Sequence, residues 1–239
     1  MRTLLKVLTR PWELARRRAA ARRLQAMGSI EERFTWIYEN NYWQEGESAS
    51  GTGSTLRYTE NLRKELPGLF SRFGVQKIFD APCGDFNWMR LVVASTGVRY
   101  QGADIVRPMI ESLQTRHGSE RVTFVHLDLI RGPFPRADLM VCRDCLFHLS
   151  YADARRVLEN FVASGTPYLL TTTHRDDGTW VNRDIPTGGF RPMDLFAPPY
   201  SLPRDPLARV EDWVAPDPER EMCLWSREQV AAALSSTGG

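Results

Sequence analysis

The chain has 239 residues, 42% of them hydrophobic and 25% charged, with a formal net charge of +2, a balance that suits one globular α/β unit with a full core. No apolar run reaches the ~18–20 residues that cross a bilayer, and residues 1–8 are too short for a secretory apolar segment, so a cytoplasmic location is expected. The four cysteines, 83, 142, 145 and 223, fall in apparent strands or a loop, not in a disulfide framework, which fits reduced thiols.

The charge is unevenly spread. Residues 1–24 carry eight Arg/Lys against one Glu, leaving about −5 on the rest. Leu4, Leu8, Trp12, Ala15 and Ala19 lie near helical spacing, with Arg16, Arg17, Arg18, Arg22 and Arg23 around them. One reading of this extension, residues 1–28, is a basic surface helix that touches anionic lipid or a polyanionic substrate; the other is a solvated tail. The run lacks interleaved aromatics and the rest is acidic, so no nucleic-acid partner is expected.

Residues 29–74 read as a helical cap with a lid. Ser29 and Glu32 fit a capping box ahead of Ile30, Phe34 and Ile37, which predicts a helix over about 30–41. A Gly/Ser-rich loop follows, from Asn41 to Ser54, with Tyr42 and Trp43 at its start. A second helix is expected over 55–66, stopped by Pro67 and Gly68.

From residue 75 onward the chain alternates. Strands are expected near 75–80, 98–104, 121–127, 137–142 and 166–173, with helices near 86–95, 107–116 and 151–163. This pattern implies a mostly parallel sheet with helices on both faces. Asp80 ends the first strand and opens the loop Asp80-Ala81-Pro82-Cys83-Gly84-Asp85-Phe86. A turn between a parallel strand and a helix start directs backbone N–H groups at a polar ligand. Asp104 ends the second strand, where a carboxylate can accept hydrogen bonds from a ribose diol, and Asp128 follows the third. Three acids at three strand ends line one rim of the sheet. A dinucleotide loop would need G-x-G-x-x-G, which is absent.

This arrangement resembles the class I S-adenosylmethionine (SAM) methyltransferases over roughly residues 75–175. The resemblance implies a Rossmann-like seven-stranded sheet ending in an antiparallel β-hairpin, here from the strand-like runs 207–213 and 220–225. It implies that Asp80 and the loop hold the methionine part, Asp104 the ribose and Asp128 the adenine. Carried over position by position, the donor set is Asp80, Pro82, Gly84, Asp85, Asp104, Ile105, Asp128, Leu129 and Arg143, with Trp43 of the lid above. Of the family's D-x-G-x-G-x-G only the middle glycine, Gly84, survives; Pro82 and Phe86 replace the others. The run Ser48-Ala-Ser50-Gly51-Thr52-Gly53-Ser54-Thr55 looks like one in a bacterial branch of these enzymes associated with sugar and glycolipid modification.

A hydroxyl acceptor needs a base or a metal, whereas an amine needs less help. The fourth strand leads into Arg143-Asp144-Cys145-Leu146-Phe147-His148, in place of the family's amide-methylating [DN]-P-P-[YF]. His148, with Asp144 to orient it, and His174 after the fifth strand are the candidate bases. Magnesium is an alternative route, with Asp144, Asp176, Asp177 and Asp184 as oxygen donors, but their spacing fits no metal motif and no residue is assigned as a ligand. Cys142-x-x-Cys145 lacks a second pair for zinc. The Pro/Gly-rich stretch 174–206 follows a strand's carboxyl end and is expected to cover the substrate. Its Asn182, Arg191 and Tyr200, with Tyr42, are the candidate acceptor contacts. The expectation is an O-methyltransferase of a sugar or oligosaccharide hydroxyl. The alternatives are a methyltransferase of a small amine or phenol, or a SAM-binding regulator.

Overall fold

The computed structural model describes residues 22–24, 26–175 and 178–236. Nearly all of the basic segment, the acids Asp176 and Asp177, and residues 237–239 lie outside the described residues. The seven strands are β1 (Lys77–Asp80), β2 (Arg99–Asp104), β3 (Val122–His126), β4 (Leu139–Cys142), β5 (Tyr168–His174), β6 (Ala208–Glu211) and β7 (Arg220–Ser226). They form one sheet in the order β3-β2-β1-β4-β5-β7-β6. The first five are parallel, and β7 runs antiparallel to both β5 and β6.

The central strands are apolar on both sides, and the sheet is covered accordingly. Phe79, Met140, Leu169 and Trp225 face the helices α5 (Tyr151–Ser164) and α6 (Arg227–Ser236). Ile78, Leu139, Val141 and Leu170 face α2 (Glu60–Arg72), α3 (Met89–Thr96) and α4 (Arg107–His117). Each such side chain contributes about 1.5–3 kcal/mol through burial. A further helix, α1 (Ile30–Glu39), lies beside α4.

Local signals set the helix ends. At α1, Ser29 accepts from the Glu32 amide while Glu32 reaches back to the Ser29 amide, a complete capping box. Ser150 caps α5 through the Asp153 amide, and Gly165, at φ 70°, ends it in the left-handed conformation. Ser226 and Gln229 exchange the same reciprocal bonds at α6.

Pro67 does not stop α2, contrary to expectation: the helix continues through Pro67 and Gly68 to Arg72. A proline inside a helix costs about 3 kcal/mol. Here Leu62, Leu66, Leu69 and Phe70 form one buried stripe that spans the proline, and burying its second half offsets that cost.

Strand order reverses between β1 and β4, which opens a crevice at their carboxyl ends. The described residues of 174–206 carry no helix or strand beyond the last residue of β5. They are fixed by packing: Met193 and Leu195 are fully buried, and the Leu195 amide donates to Thr173 Oγ1 at 2.9 Å.

Candidate active site

The crevice holds an open pocket with about 1160 Å³ of empty space, the solvent at its mouth included. Its floor is the rim of acids. Asp80 is buried and accepts from the Tyr100 hydroxyl at 2.7 Å. Burial pushes its carboxyl up to about 7, and the Tyr100 bond pulls it partly back. Asp104 accepts the Gly84 amide at 3.2 Å on one oxygen and the Val106 amide at 3.0 Å on the other. Those bonds lock its carboxylate in place, although burial raises its pKa on balance. Asp128 accepts the Ile130 amide at 2.9 Å. Ile105, Val106, Met109 and Leu129 add an apolar surface between the second and third acids. Carboxylates beside an apolar slot suit the ammonium, ribose and purine of SAM, so the residues present fit that group.

Phe86 does not obstruct this site. At φ 60° it turns into the core, against Tyr100 at 4.7 Å and Phe124 at 5.1 Å between ring centroids. Gly84 keeps the close approach. At φ 54°, a Cβ there would collide with Ser50 Oγ.

The other wall comes from the N-terminal part of the chain. Ile30, Phe34, Ile37 and Tyr38 of α1 line the cavity, as do Trp43, Ala49, Ser50 and Ser54 of the Gly/Ser loop. The apolar spacing of Ile30, Phe34 and Ile37 predicts a buried helix face, but not that the face roofs a cavity. Ala49, Ser50 and Ser54 carry no sequence signal for this position beyond the loop's composition.

At the end of β4, Arg143, Asp144 and His148 reach the cavity. Arg143 forms a two-pronged ion pair with buried Asp212, at 2.8 Å from both Nε and Nη2, and donates to the Gly53 carbonyl at 2.8 Å. Arg220 contacts Asp144 at 2.9 Å and donates to the Asp212 carbonyl at 2.9 Å. Two cations and two anions thus form a balanced buried group, as interior charge requires. Burial opposes ionisation of Asp144, but the guanidiniums of Arg143 and Arg220 outweigh it and hold its carboxyl below the usual range. Asp144 itself sits at φ 52°, with its amide donating to Thr172 Oγ1 at 2.9 Å.

His148 lies 2.7 Å, through Nδ1, from the carbonyl oxygen of Gly189. A carbonyl can only accept, so Nδ1 carries the proton and Nε2 of the neutral ring has a free lone pair. Burial lowers the His148 pKa, which favours that neutral form. Trp43, Phe147 and Phe190 surround the imidazole, with centroids at 6.3, 4.5 and 5.8 Å.

His174 is not on the cavity wall. It is fully buried behind Phe147, its Nδ1 accepts the Met193 amide at 3.2 Å, and burial lowers its pKa to about 4. Asp85 also lies outside the lining and bonds to the Gly/Ser loop, accepting from Ser48 Oγ at 2.9 Å and the Ala49 amide at 2.8 Å. Tyr42 packs edge-on against Trp43, 5.0 Å away, one residue back from the lining. Asn182 donates to the Asp194 and Pro198 carbonyls at 2.7 Å each. Arg191 is fully buried, donates to the Leu149 carbonyl and covers the Tyr151 ring at 4.9 Å. Tyr200 is buried, with its hydroxyl on the Tyr151 carbonyl at 3.2 Å. The Arg191 and Tyr200 bonds fasten the loop to the body of the protein, while the two Asn182 bonds brace the loop on itself.

Asp184 accepts the Tyr151 and Ile185 amides at 2.7 and 2.9 Å. Among the described residues no group of three or more His, Cys, Asp or Glu is placed to hold a metal ion, and Cys142 and Cys145 are free and buried. No helix of the described residues is long and apolar enough to cross a membrane.

Residues 78–167 match the protein family described as "Methyltransferase domain". Among solved structures, the chain is similar to 1,6-didemethyltoxoflavin-N1-methyltransferase from Burkholderia thailandensis, at TM-score 0.58 and 18% identity, over 92% of this chain and 91% of that one. The mitomycin 7-O-methyltransferase MmcR gives TM-score 0.58 and 16% identity over 91% and 69%. An O-methyltransferase family protein from Burkholderia thailandensis gives 0.51 and 16% over 85% and 62%, so this chain spans less than two thirds of that protein. A search of curated proteins found no match. Residues 78–167 thus match a methyltransferase domain, and the chain shares the fold of these methyltransferases.

Proposed function

We propose that the protein transfers a methyl group to a hydroxyl, with His148 as the general base. The observation that carries this reading is the His148–Gly189 bond, which leaves a neutral imidazole with an unprotonated Nε2 on the cavity wall. When bound, SAM supplies a methyl group on a positively charged sulfur that leaves as a neutral thioether. Asp80 would pair with its ammonium, Asp104 would accept from its ribose, and Asp128 would cap its adenine. His148 takes the hydroxyl proton as the acceptor oxygen bonds the methyl carbon, and the ring becomes an imidazolium. Asp144, held ionised, lowers the energy of that cation.

The acceptor we propose is a sugar or oligosaccharide hydroxyl. Trp43 and Phe190, 42% and 53% exposed, flank the base and offer aromatic faces to the C–H surface of a sugar ring. The relatives in fold are named as both O- and N-methyltransferases. The discriminating experiment is turnover of SAM against matched panels of sugars, phenols and amines, with His148→Ala alongside. Turnover of hydroxyl acceptors that is lost in the variant, with SAM still bound, supports the reading. Equal turnover of amines by the variant would favour the amine alternative. The arginine-rich segment 1–24 supports peripheral contact with anionic lipid, where a lipid-linked glycan would be met.

A further inference from the structure

The loop that carries the acceptor-side wall is sewn to the donor loop, largely through one carboxylate. Asp85 Oδ2 accepts both Ser48 Oγ and the Ala49 amide, and the Asp85 amide donates to Ser50 Oγ at 2.9 Å. Asn87 adds a second stitch, from its Nδ2 to Glu47 at 2.7 Å and to the Ser54 carbonyl at 3.1 Å. The next residue along the loop, Gly51, lies at φ 95° under Trp43: a Cβ there would be 3.1 Å from Trp43 Cγ. Trp43 in turn stands beside His148. An unbroken line of contacts therefore runs from the donor loop, through Asp85 and residues 48–51, to the indole that flanks the base.

We propose that Asp85 is a positioning residue that touches neither donor nor acceptor and sets the acceptor-side wall, Trp43 included, by the state of the donor loop. The inference rests on the reading of the cavity as joint donor and acceptor site. The chemistry suits the role. A carboxylate accepting a hydroxyl and an amide makes charge-assisted bonds, which are stronger and more directional than neutral ones. A donor-induced shift in residues 84–87 is thereby transmitted to 48–50. Order in the wall is then supplied by donor binding, and the acceptor meets a formed Trp43 face only in the donor-loaded protein.

The test is hydrogen–deuterium exchange of the full chain, with and without S-adenosylhomocysteine, in the wild type, Asp85→Ala and Ser48→Ala/Ser50→Ala. The last variant cuts the Ser48–Asp85 bond and the Asp85 amide–Ser50 bond from the wall side, so it keeps the test decisive if Asp85→Ala fails to fold. In the wild type the product is expected to protect peptides over both 77–87 and 43–56. In the folded variants, protection of 77–87 persists while that of 43–56 is lost. The acceptor KM rises about tenfold, as expected for lost charge-assisted hydrogen bonds, while the acid limb of the pH–rate profile stays in place. Wild-type protection of 43–56 in both variants would overturn the inference. A wild type that binds no product at all would overturn the donor-site reading instead, and that outcome is seen before any variant is compared.

Discussion

His148 gives its Nδ1 proton to the carbonyl oxygen of Gly189, 2.7 Å away, and that bond decides which ring nitrogen can act as a base. The carbonyl belongs to the stretch after β5, so that stretch fixes the tautomer of a residue after β4. Replacing His148 with Ala should lower kcat by about 10²–10⁴-fold while SAM binding measured by calorimetry stays close to wild type. Unchanged turnover in this variant would remove His148 from the mechanism.

The pH dependence follows from the direction of the His148 shift. Burial lowers its pKa, so the neutral base persists to lower pH than a free imidazole, whose pKa is about 6.5. The acid limb of kcat is expected below that value. A limb well above it would mean that another group titrates.

Asp80 should make SAM affinity depend on pH in the opposite range. Its carboxyl titrates at about 7 instead of 3.8, because burial disfavours the charged form. A raised carboxyl pKa adds stability to the ligand-free protein below about 4, and that contribution fades as pH rises through about 7. SAM, a cation in this region, favours the ionised form. Tyr100→Phe removes the bond that pulls the pKa down. The variant is expected to bind SAM more weakly at pH 7 than the wild type, with the gap narrowing by pH 8.5. A gap independent of pH would show that Tyr100 acts by packing alone.

Asp212 should matter for stability more than any acid of the donor rim. Its side chain is fully buried and bonds Arg143 through both oxygens. Asp212→Ala would leave Arg143 and Arg220 with one buried carboxylate between them, at an expected cost of about 3–5 kcal/mol. Urea denaturation reads this directly. A loss below 1 kcal/mol would show that water or a rearranged Asp144 replaces the missing charge.

The aromatic rim predicts a split between donor and acceptor. Trp43→Ala and Phe190→Ala should each raise the acceptor KM roughly three- to tenfold, the scale of one aromatic contact. Affinity for SAM should change less in Phe190→Ala than in Trp43→Ala, because only Trp43 belongs to the loop joined to Asp85. Steady-state kinetics with each substrate varied would settle it.

Features written locally were readable before any coordinates. The strand-end acids 80 and 104 and the Ser29–Glu32 box are each marked by residues within a few positions along the chain. So is the neighbourhood of Asp144 and His148. What stayed hidden depends on partners far along the chain. Arg143 finds Asp212 sixty-nine residues away, and His148 finds Gly189 forty-one away. Asn182, Arg191 and Tyr200 have the chemistry of sugar contacts, yet their hydrogen bonds go to nearby backbone carbonyls, a choice composition does not reveal. Pro67 misled for a related reason: local propensity says stop, while the buried stripe on either side of it says continue.

The balanced group of Arg143, Asp144, Asp212 and Arg220 also bears on how the molecule comes into being. Two of its members lie late in the chain, beyond all five parallel strands. During synthesis, a nascent chain that has already laid down the donor rim still holds Arg143 without its main counter-charge. The charge balance around Arg143 and Asp144 is therefore complete only once the final hairpin has been made.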